Sequence, residues 1–319
     1  MRDEAPYLAE ALASLSAQTL EELEVVVVDD GSRDESADIA ETHAERDRRF
    51  RVVRQPRAGL VAALERARAD ARGEFLARMD GDDVALPKRL ELQLTAMQDE
   101  GLDACGGRIE YFPRATEGAQ RYAAWINSLV TVEDAARDVF VECPLPHPTL
   151  VVRREALERA GGYEDRGWPE DYDLLLRLWA CKARFRNVDE TVLRWRDHPG
   201  RLSRTEPRYS LDAFLRCKVH HLRRTLLRSR RGVLVWGAGP VGKSFGRAFC
   251  DELRGFVEVD PRKLGRTIYG VPVVQAEDAP RFEDALWLGA VAGDEARTRI
   301  REVVAEQGRR EGVDFVAVA

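Results

Sequence analysis

Leu8, Ala11, Leu12 and Leu15 recur at helical spacing, which predicts a helix within Tyr7–Leu20. The apolar run within Leu23–Val28 then stops at Asp29-Asp30-Gly31-Ser32. A buried parallel strand reads this way, with the acids at its carboxyl end. Ser36–Arg48 has helical spacing, Phe50–Val53 reads as a short strand, and Leu60–Ala71 is a third helix stopped by Gly73. Phe75–Met79 is the next strand, and it leads into Asp80, Asp82 and Asp83. Helix and strand therefore alternate through the first ninety or so residues, which predicts an α/β domain with a mixed, mostly parallel sheet. Such sheets bind ligands at the carboxyl ends of their strands.

Further along, Gly101–Gly107 reads as a strand and turn, and Thr116–Val139 as helical. Pro144, Pro146 and Pro148 forbid a helix around His147, and Thr149–Val152 reads as a strand. His147 beside two prolines reads as a loop-packing residue before it reads as a ligand contact. Gly161-Gly162 ends a helix, Trp168-Pro169 makes a turn, and Glu170-Asp171 opens an amphipathic helix that turns Leu174, Leu175 and Leu178 inward. The segment Glu190–Thr205 is expected to follow a strand and to form a basic loop containing Arg194, Arg196, His198 and Arg201. Leu211–Arg231 is helical in pattern and strongly basic, with Asp212 as its only acid. A solvated helix face explains such a run, and a surface that tracks nucleic-acid phosphates is the sharper alternative. At Gly232 the pattern restarts: the strand Val233–Trp236, then Gly237, Gly239 and Gly242, then a helix. Asp260 closes the following strand. This is GxGxxG in strand–turn–helix context and predicts a Rossmann-like unit. The same letters satisfy GxxxxGK[ST] through Lys243 and Ser244, but fewer than ninety residues remain, too few for a P-loop ATPase. The expected organisation is residues 1–205, a basic linker 206–231, and 232–319.

Composition narrows the class. With 319 residues there is room for two domains, and 44% apolar with 33% charged residues fits a globular fold. No stretch approaches a membrane span. The five cysteines are scattered without a CxxC pair, which argues against zinc or a disulfide framework and fits a reducing cytoplasm. A net charge of −6 gives no global attraction to nucleic acid.

The chemistry concentrates at the two acidic strand ends. Asp80, Asp82 and Asp83 repel one another at this spacing, and a hard cation such as Mg²⁺ or Mn²⁺ is the natural counter-charge. A solvated acidic turn is the other reading of the same residues. The combination VVVVDDGSRDES with GEFLARMDGDDVALPKRLELQ resembles the family 2 glycosyltransferases of GT-A fold, over about two thirds of the chain. The resemblance implies a UDP-sugar donor contacted by Asp29, Asp30, Arg57, Asp80 and Glu170, with Asp30 at the base. It implies Mn²⁺ or Mg²⁺ on Asp82, with His198 as a further ligand, and Asp171 as general base. Family members begin with a strand ahead of the first helix, whereas this chain starts almost at the helix, with RDEAPYL. Two uncovered strand edges are therefore expected, with the recorded start lying downstream of that strand.

AQRYAAWINSLV, GWPEDYDLLLRL, the basic helix, GAGPVG and GVDFVAVA together resemble the tRNA-queuosine β-galactosyltransferases. That likeness implies transfer of galactose onto tRNA, with RNA contacts from Arg216, Arg223, Arg224 and Arg228. It also implies a ligand loop at Gly237, Gly239, Gly242 and Asp260. The alternatives are a surface-polysaccharide or small-molecule glycosyltransferase, and a non-catalytic RNA-binding protein on a transferase fold.

Overall fold

A computed structural model describes Met1–Ala319 in full. In chain order it contains α1 (Ala5–Ser16), β1 (Val25–Asp30), α2 (Ser36–Arg46), β2 (Phe50–Gln55), α3 (Leu60–Asp70), β3 (Phe75–Ala77), β4 (Val84–Ala85) and α4 (Arg89–Glu100). There follow β5 (Ala104–Phe112), α5 (Glu117–Ile126), α6 (Val132–Asp138), β6 (Val151–Arg153), α7 (Arg154–Arg159), α8 (Glu170–Ala180), β7 (Phe185–Arg196) and α9 (Leu202–Thr205). The last third holds α10 (Leu211–Arg224), β8 (Val233–Trp236), α11 (Pro240–Ala248), β9 (Leu253–Val257), β10 (Thr267–Ile268), β11 (Val271–Val274), β12 (Leu286–Gly289), α12 (Asp294–Glu306) and β13 (Phe315–Ala317). No helix is long and apolar enough to cross a membrane.

The chain divides into two compact units. The first is Met1–Ala135, Pro144–Arg166 and Arg177–Thr205; the second is Ala136–Cys143, Gly167–Leu176 and Glu206–Ala319. The first unit carries a parallel pair, β1–β2, and a separate five-stranded sheet in the order β3-β6-β5-β7-β4. In that sheet only β5–β7 is parallel, while β3–β6, β5–β6 and β4–β7 are antiparallel. The expectation of a mostly parallel sheet is thus corrected. Alternating local patterns report crossovers, but the strands that fill this sheet arrive from residues 151 and 185, and their direction is set by long-range pairing.

Two other expectations shift for tertiary reasons. The helix expected over Thr116–Val139 is broken between α5 and α6. Asn127 there exchanges bonds with the β5 backbone: its Oδ1 accepts from Ile109 N, and its Nδ2 donates to Ile109 O, both at 2.9 Å. These two bonds fasten the end of α5 to β5. The segment Glu190–Arg196 lies inside β7 and is not a loop after it.

The buried core of the first unit gathers Cys105, Ile109, Val151, Val188, Val192 and Leu193, with a second cluster of Leu8, Leu12, Val27, Ala40 and Phe50 under β1–β2. β1 and β3 each have a single ladder partner. A cleft of about 390 Å³ lies between them, lined by Val25–Val28 and Phe75–Ala77 together with Leu8 and Leu12.

The second unit holds a six-stranded sheet in the order β10-β11-β9-β8-β12-β13, parallel except for β10–β11. Its core is built on Leu234, Trp236, Trp287, Val304 and Phe315. Gly242 is required sterically, since a Cβ there would stand 1.8 Å from Gly237 O. The start of α11 therefore packs directly on the turn that follows β8.

Candidate active site

In the first unit, β3 ends just before Asp80-Gly81-Asp82-Asp83, and β7 returns beside that loop. Arg196 anchors the loop: its backbone N–H donates to Asp83 Oδ1 at 2.8 Å, and its Nε donates to Asp82 O at 2.6 Å. The Arg196 guanidinium lies 4.6 Å from the Tyr7 ring centroid and 4.3 Å from that of Phe112, and it also pairs with Glu10. Arg194 rests on Phe112 and Arg201 on Trp195. The arginines of the expected basic loop are therefore packed on aromatic rings.

Each acid of the loop has a different partner. Asp80 forms a two-pronged ion pair with Arg78. Asp82 Oδ2 lies 2.9 Å from His198 Nε2. Asp83 is fully buried, and its Oδ2 has no hydrogen-bond partner. Burial, then the Asp80 charge, pushes the Asp82 carboxyl above its ordinary range, while His198 pulls it back. Burial followed by Asp80 and Asp82 pushes Asp83 well above. One ligand oxygen from each of the three acids falls within 4.8 Å of the others. Clustered carboxylates of this kind, one with an orphaned buried oxygen, are an oxygen-donor set that a divalent cation satisfies.

Glu4 was not singled out from the sequence. It is an acid ahead of Pro6 at the start of α1, with no spacing to mark it. In the fold its side chain and that of Met1 are the nearest contacts a Cβ on Gly81 would make, both at 3.4 Å. Burial, then Asp82 and Asp80, raises its carboxyl to about 8. An unfolded Glu ionises near pH 4.5, so between these values the folded chain holds a proton that the unfolded chain has released. Stability from this group is therefore complete below about pH 4.5 and is lost as pH rises through about 8. Without metal, the melting temperature is expected to fall over that window, and Glu4→Gln is expected to flatten the fall. An unchanged slope in Glu4→Gln would remove Glu4 from the acidic group.

The other acidic strand end is occupied differently. Asp30 is buried and accepts from Gln55 Nε2 at 2.7 Å and from Ala58 N and Gly59 N at 2.8 Å. Burial works against its charge, but these three bonds outweigh it and hold the carboxyl below the usual range. Asp29 accepts from the Ser32 hydroxyl at 2.5 Å. Gly31, at φ +69°, lets the chain turn where a Cβ would stand 2.9 Å from Arg57 N. Asp30 thus fastens the β2–α3 loop, with Arg57 exposed on it. His147 is buried, lies 3.1 Å from the Tyr163 hydroxyl through Nε2, and is held well below its ordinary pKa by burial and then Arg78. It is a packing residue.

In the second unit, α8 opens with Glu170-Asp171-Tyr172-Asp173. Glu170 is 1% exposed and accepts from the Tyr209 hydroxyl at 2.9 and 3.0 Å. Asp173 is fully buried and accepts from Trp168 Nε1 at 2.9 Å, with His221 Nε2 also 2.9 Å away. Tyr172 is buried and donates to Val139 O. Asp171 is the half-buried member of the four. Burial thus sorts three acids that look alike in sequence.

In the glycine turn after β8, the acid that faces the backbone is Glu258, which accepts from Ala238 N at 3.1 Å and pairs with Lys263 at 2.8 Å. Asp260, named from spacing, pairs with Arg262 instead. The basic helix is also less free than its composition implies. Lys218 and His221 are buried, Arg216 pairs with Asp212, and Arg223 pairs with Glu252. Arg224 and Arg228 are exposed.

Three comparisons bear on this geometry. The sequence model of the family described as "Glycosyl transferase family 2" matches residues 1–161. The chain is 29% identical over 222 residues to the uncharacterized glycosyltransferase EpsJ of Bacillus subtilis, covering 66% of this chain and 63% of EpsJ. It is 27% identical over 223 residues to the O-antigen biosynthesis glycosyltransferase WbnJ of Escherichia coli, covering 69% and 84%. It is 29% identical over 192 residues to the amylovoran biosynthesis glycosyltransferase AmsE of Erwinia amylovora, covering 59% and 70%. Among solved structures, S. aureus TarS 1–349 in complex with UDP-GlcNAc matches with a TM-score of 0.56 at 19% identity, over 70% of this chain and 64% of that one. The mannosyltransferase PcManGT of Pyrobaculum calidifontis, in complex with GDP-Man and Mn²⁺, matches with a TM-score of 0.50 at 16% identity, over 97% and 79%. These likenesses show an α/β fold with mixed sheets of the GT-A transferase kind.

Proposed function

The chain belongs to glycosyl transferase family 2, and on that footing we propose that it transfers a sugar from a UDP-sugar to a hydroxyl of a growing surface polysaccharide. The observation that carries the reading is the Asp80-Asp82-Asp83 loop, with its orphaned buried oxygen and its His198 neighbour. UDP-GlcNAc bound to TarS supports the donor, and the names of WbnJ and AmsE support the acceptor. Asp82, Asp80 and His198 would hold Mn²⁺ or Mg²⁺, and PcManGT is in complex with Mn²⁺. When bound, such a cation neutralises charge on a leaving diphosphate. Asp171 takes the proton from the acceptor hydroxyl as its oxygen bonds to the anomeric carbon. The bond from that carbon to the diphosphate breaks with its electron pair leaving on the diphosphate, so the anomeric configuration inverts.

The tRNA-queuosine reading is the finer one, and it draws less support. WbnJ and AmsE are named for O-antigen and amylovoran biosynthesis, and within the basic helix Arg216 and Arg223 are already paired. We read the second unit as Rossmann-like, on its parallel sheet and the turn at Gly237, Gly239 and Gly242, with Glu258 in place of Asp260 as the acid at the turn. Radiolabelled UDP-sugars, offered with Mn²⁺ to polysaccharide fragments and to queuosine-containing tRNA, test the proposal. Label is expected in the glycan. Label in tRNA alone would reverse the acceptor, and no turnover of any UDP-sugar would reject the donor.

A further inference from the structure

The catalytic reading rests on Asp171, and Asp171 sits in the first turn of α8. A first helical turn is a weak place to mount a base. Its N–H groups lack intrahelical partners, and helix ends open at low free-energy cost. A base also has to be held to a fraction of an ångström.

Several of the groups that hold this turn come from α10 and the residues just ahead of it. On one side of Asp171, the buried carboxylate of Glu170 receives the Tyr209 hydroxyl on both oxygens, with Arg208 Nη1 3.8 Å away. Tyr209 lies in the turn just ahead of α10. On the other side, the buried Asp173 carboxylate is gripped by Trp168 Nε1 and by His221 of α10 itself. Tyr172, between them, packs its ring 5.7 Å from that of Phe214, also on α10. Ser210 caps α10 by accepting from Ala213 N. Tyr209, just ahead of the capped start of α10, and His221, in its last turn, are thus each bonded to a different buried acid of α8.

We propose that Tyr209 and His221 are positioning residues for Asp171, so that α10 fixes the first turn of α8 in the pose the proton transfer needs. The inference rests on the reading of Asp171 as general base. Neither side chain touches substrate in this role; each acts through the acid it holds. Breaking either bond leaves a buried carboxylate short of a donor, and the turn relieves this by opening toward water. Asp171 then moves with it. Misplacement of about 1 Å costs on the order of a hundredfold in rate.

The test is steady-state kinetics of the full-length chain with UDP-sugar, Mn²⁺ and acceptor. The variants are Tyr209→Phe, His221→Leu and His221→Gln, with Asp171→Asn alongside. Tyr209→Phe keeps the ring and loses only the hydroxyl. His221→Gln keeps an N–H donor that can reach Asp173. Tyr209→Phe and His221→Leu are expected to lower kcat about ten- to a hundredfold with the donor KM unchanged, and His221→Gln to recover most of it. A merely structural role would lower the melting temperature without this split between kcat and KM. Wild-type kcat in Tyr209→Phe, while Asp171→Asn is dead, would overturn the positioning role and leave the base intact. Wild-type kcat in Asp171→Asn would instead overturn the base reading. The test survives poor folding of His221→Leu, because Tyr209→Phe decides it alone.

Discussion

Asp82→Ala is expected to lower sugar transfer about a thousandfold, the rate equivalent of several kcal/mol of lost charge stabilisation at the leaving diphosphate. Asp82 is suited to the role because it is the acid of its loop that is neither locked in an arginine ion pair nor fully buried. Asp80 is engaged by Arg78 and Asp83 is enclosed, whereas Asp82 faces the imidazole of His198. Removing it should also abolish the rise in melting temperature on adding Mn²⁺, because ligand binding to the folded state alone stabilises it. Folding should survive, since truncation removes one of several mutually repelling acids and leaves the Arg196 tether on the Asp82 carbonyl in place. A metal-dependent rate that persists in Asp82→Ala would place the cation elsewhere.

Asp171→Asn is expected to cost between about a hundredfold and ten-thousandfold in kcat, the usual range for a positioned general base. Asn fills the same space and can still accept from Tyr172 N as Asp171 does, but it cannot carry the acceptor proton. UDP binding and slow donor hydrolysis should therefore be preserved. The contrast with its neighbours is part of the prediction. Glu170→Gln and Asp173→Asn alter buried groups with fixed partners, so they should act on stability as well as rate. Rate loss without stability loss is expected at Asp171 alone among the three. A wild-type rate in Asp171→Asn would reject the assignment.

Much of this was legible along the chain. Alternation of apolar runs with helical spacing located β1, α2, β2 and α3 to within two residues, and β8 of the second unit residue for residue. The acids at the ends of β1 and β3 could be read because each follows a short apolar run, and the polar residues after it mark where the strand stops. Glu4 and Glu258 gave no comparable signal. Each joins its site through a neighbour far off in sequence, and a lone acid at a helix start or strand end is commonplace. The basic helix misled for a related reason, since composition counts charges without showing that Asp212, Glu252 and the interior already take several of them.

The sequence alone determined the periodic elements, the family, and which residue types stand at the strand ends. Those follow from interactions between residues near one another in the chain, where spacing is information enough. Only the tertiary structure decided that β5 runs parallel to β7 while its other neighbour is antiparallel, that a cleft separates β1 from β3, and that Asp171 is the half-buried acid among buried ones. Each of these depends on which distant segment supplies a partner. That choice is made by packing and hydrogen-bond satisfaction summed over the whole fold, and no local pattern records it.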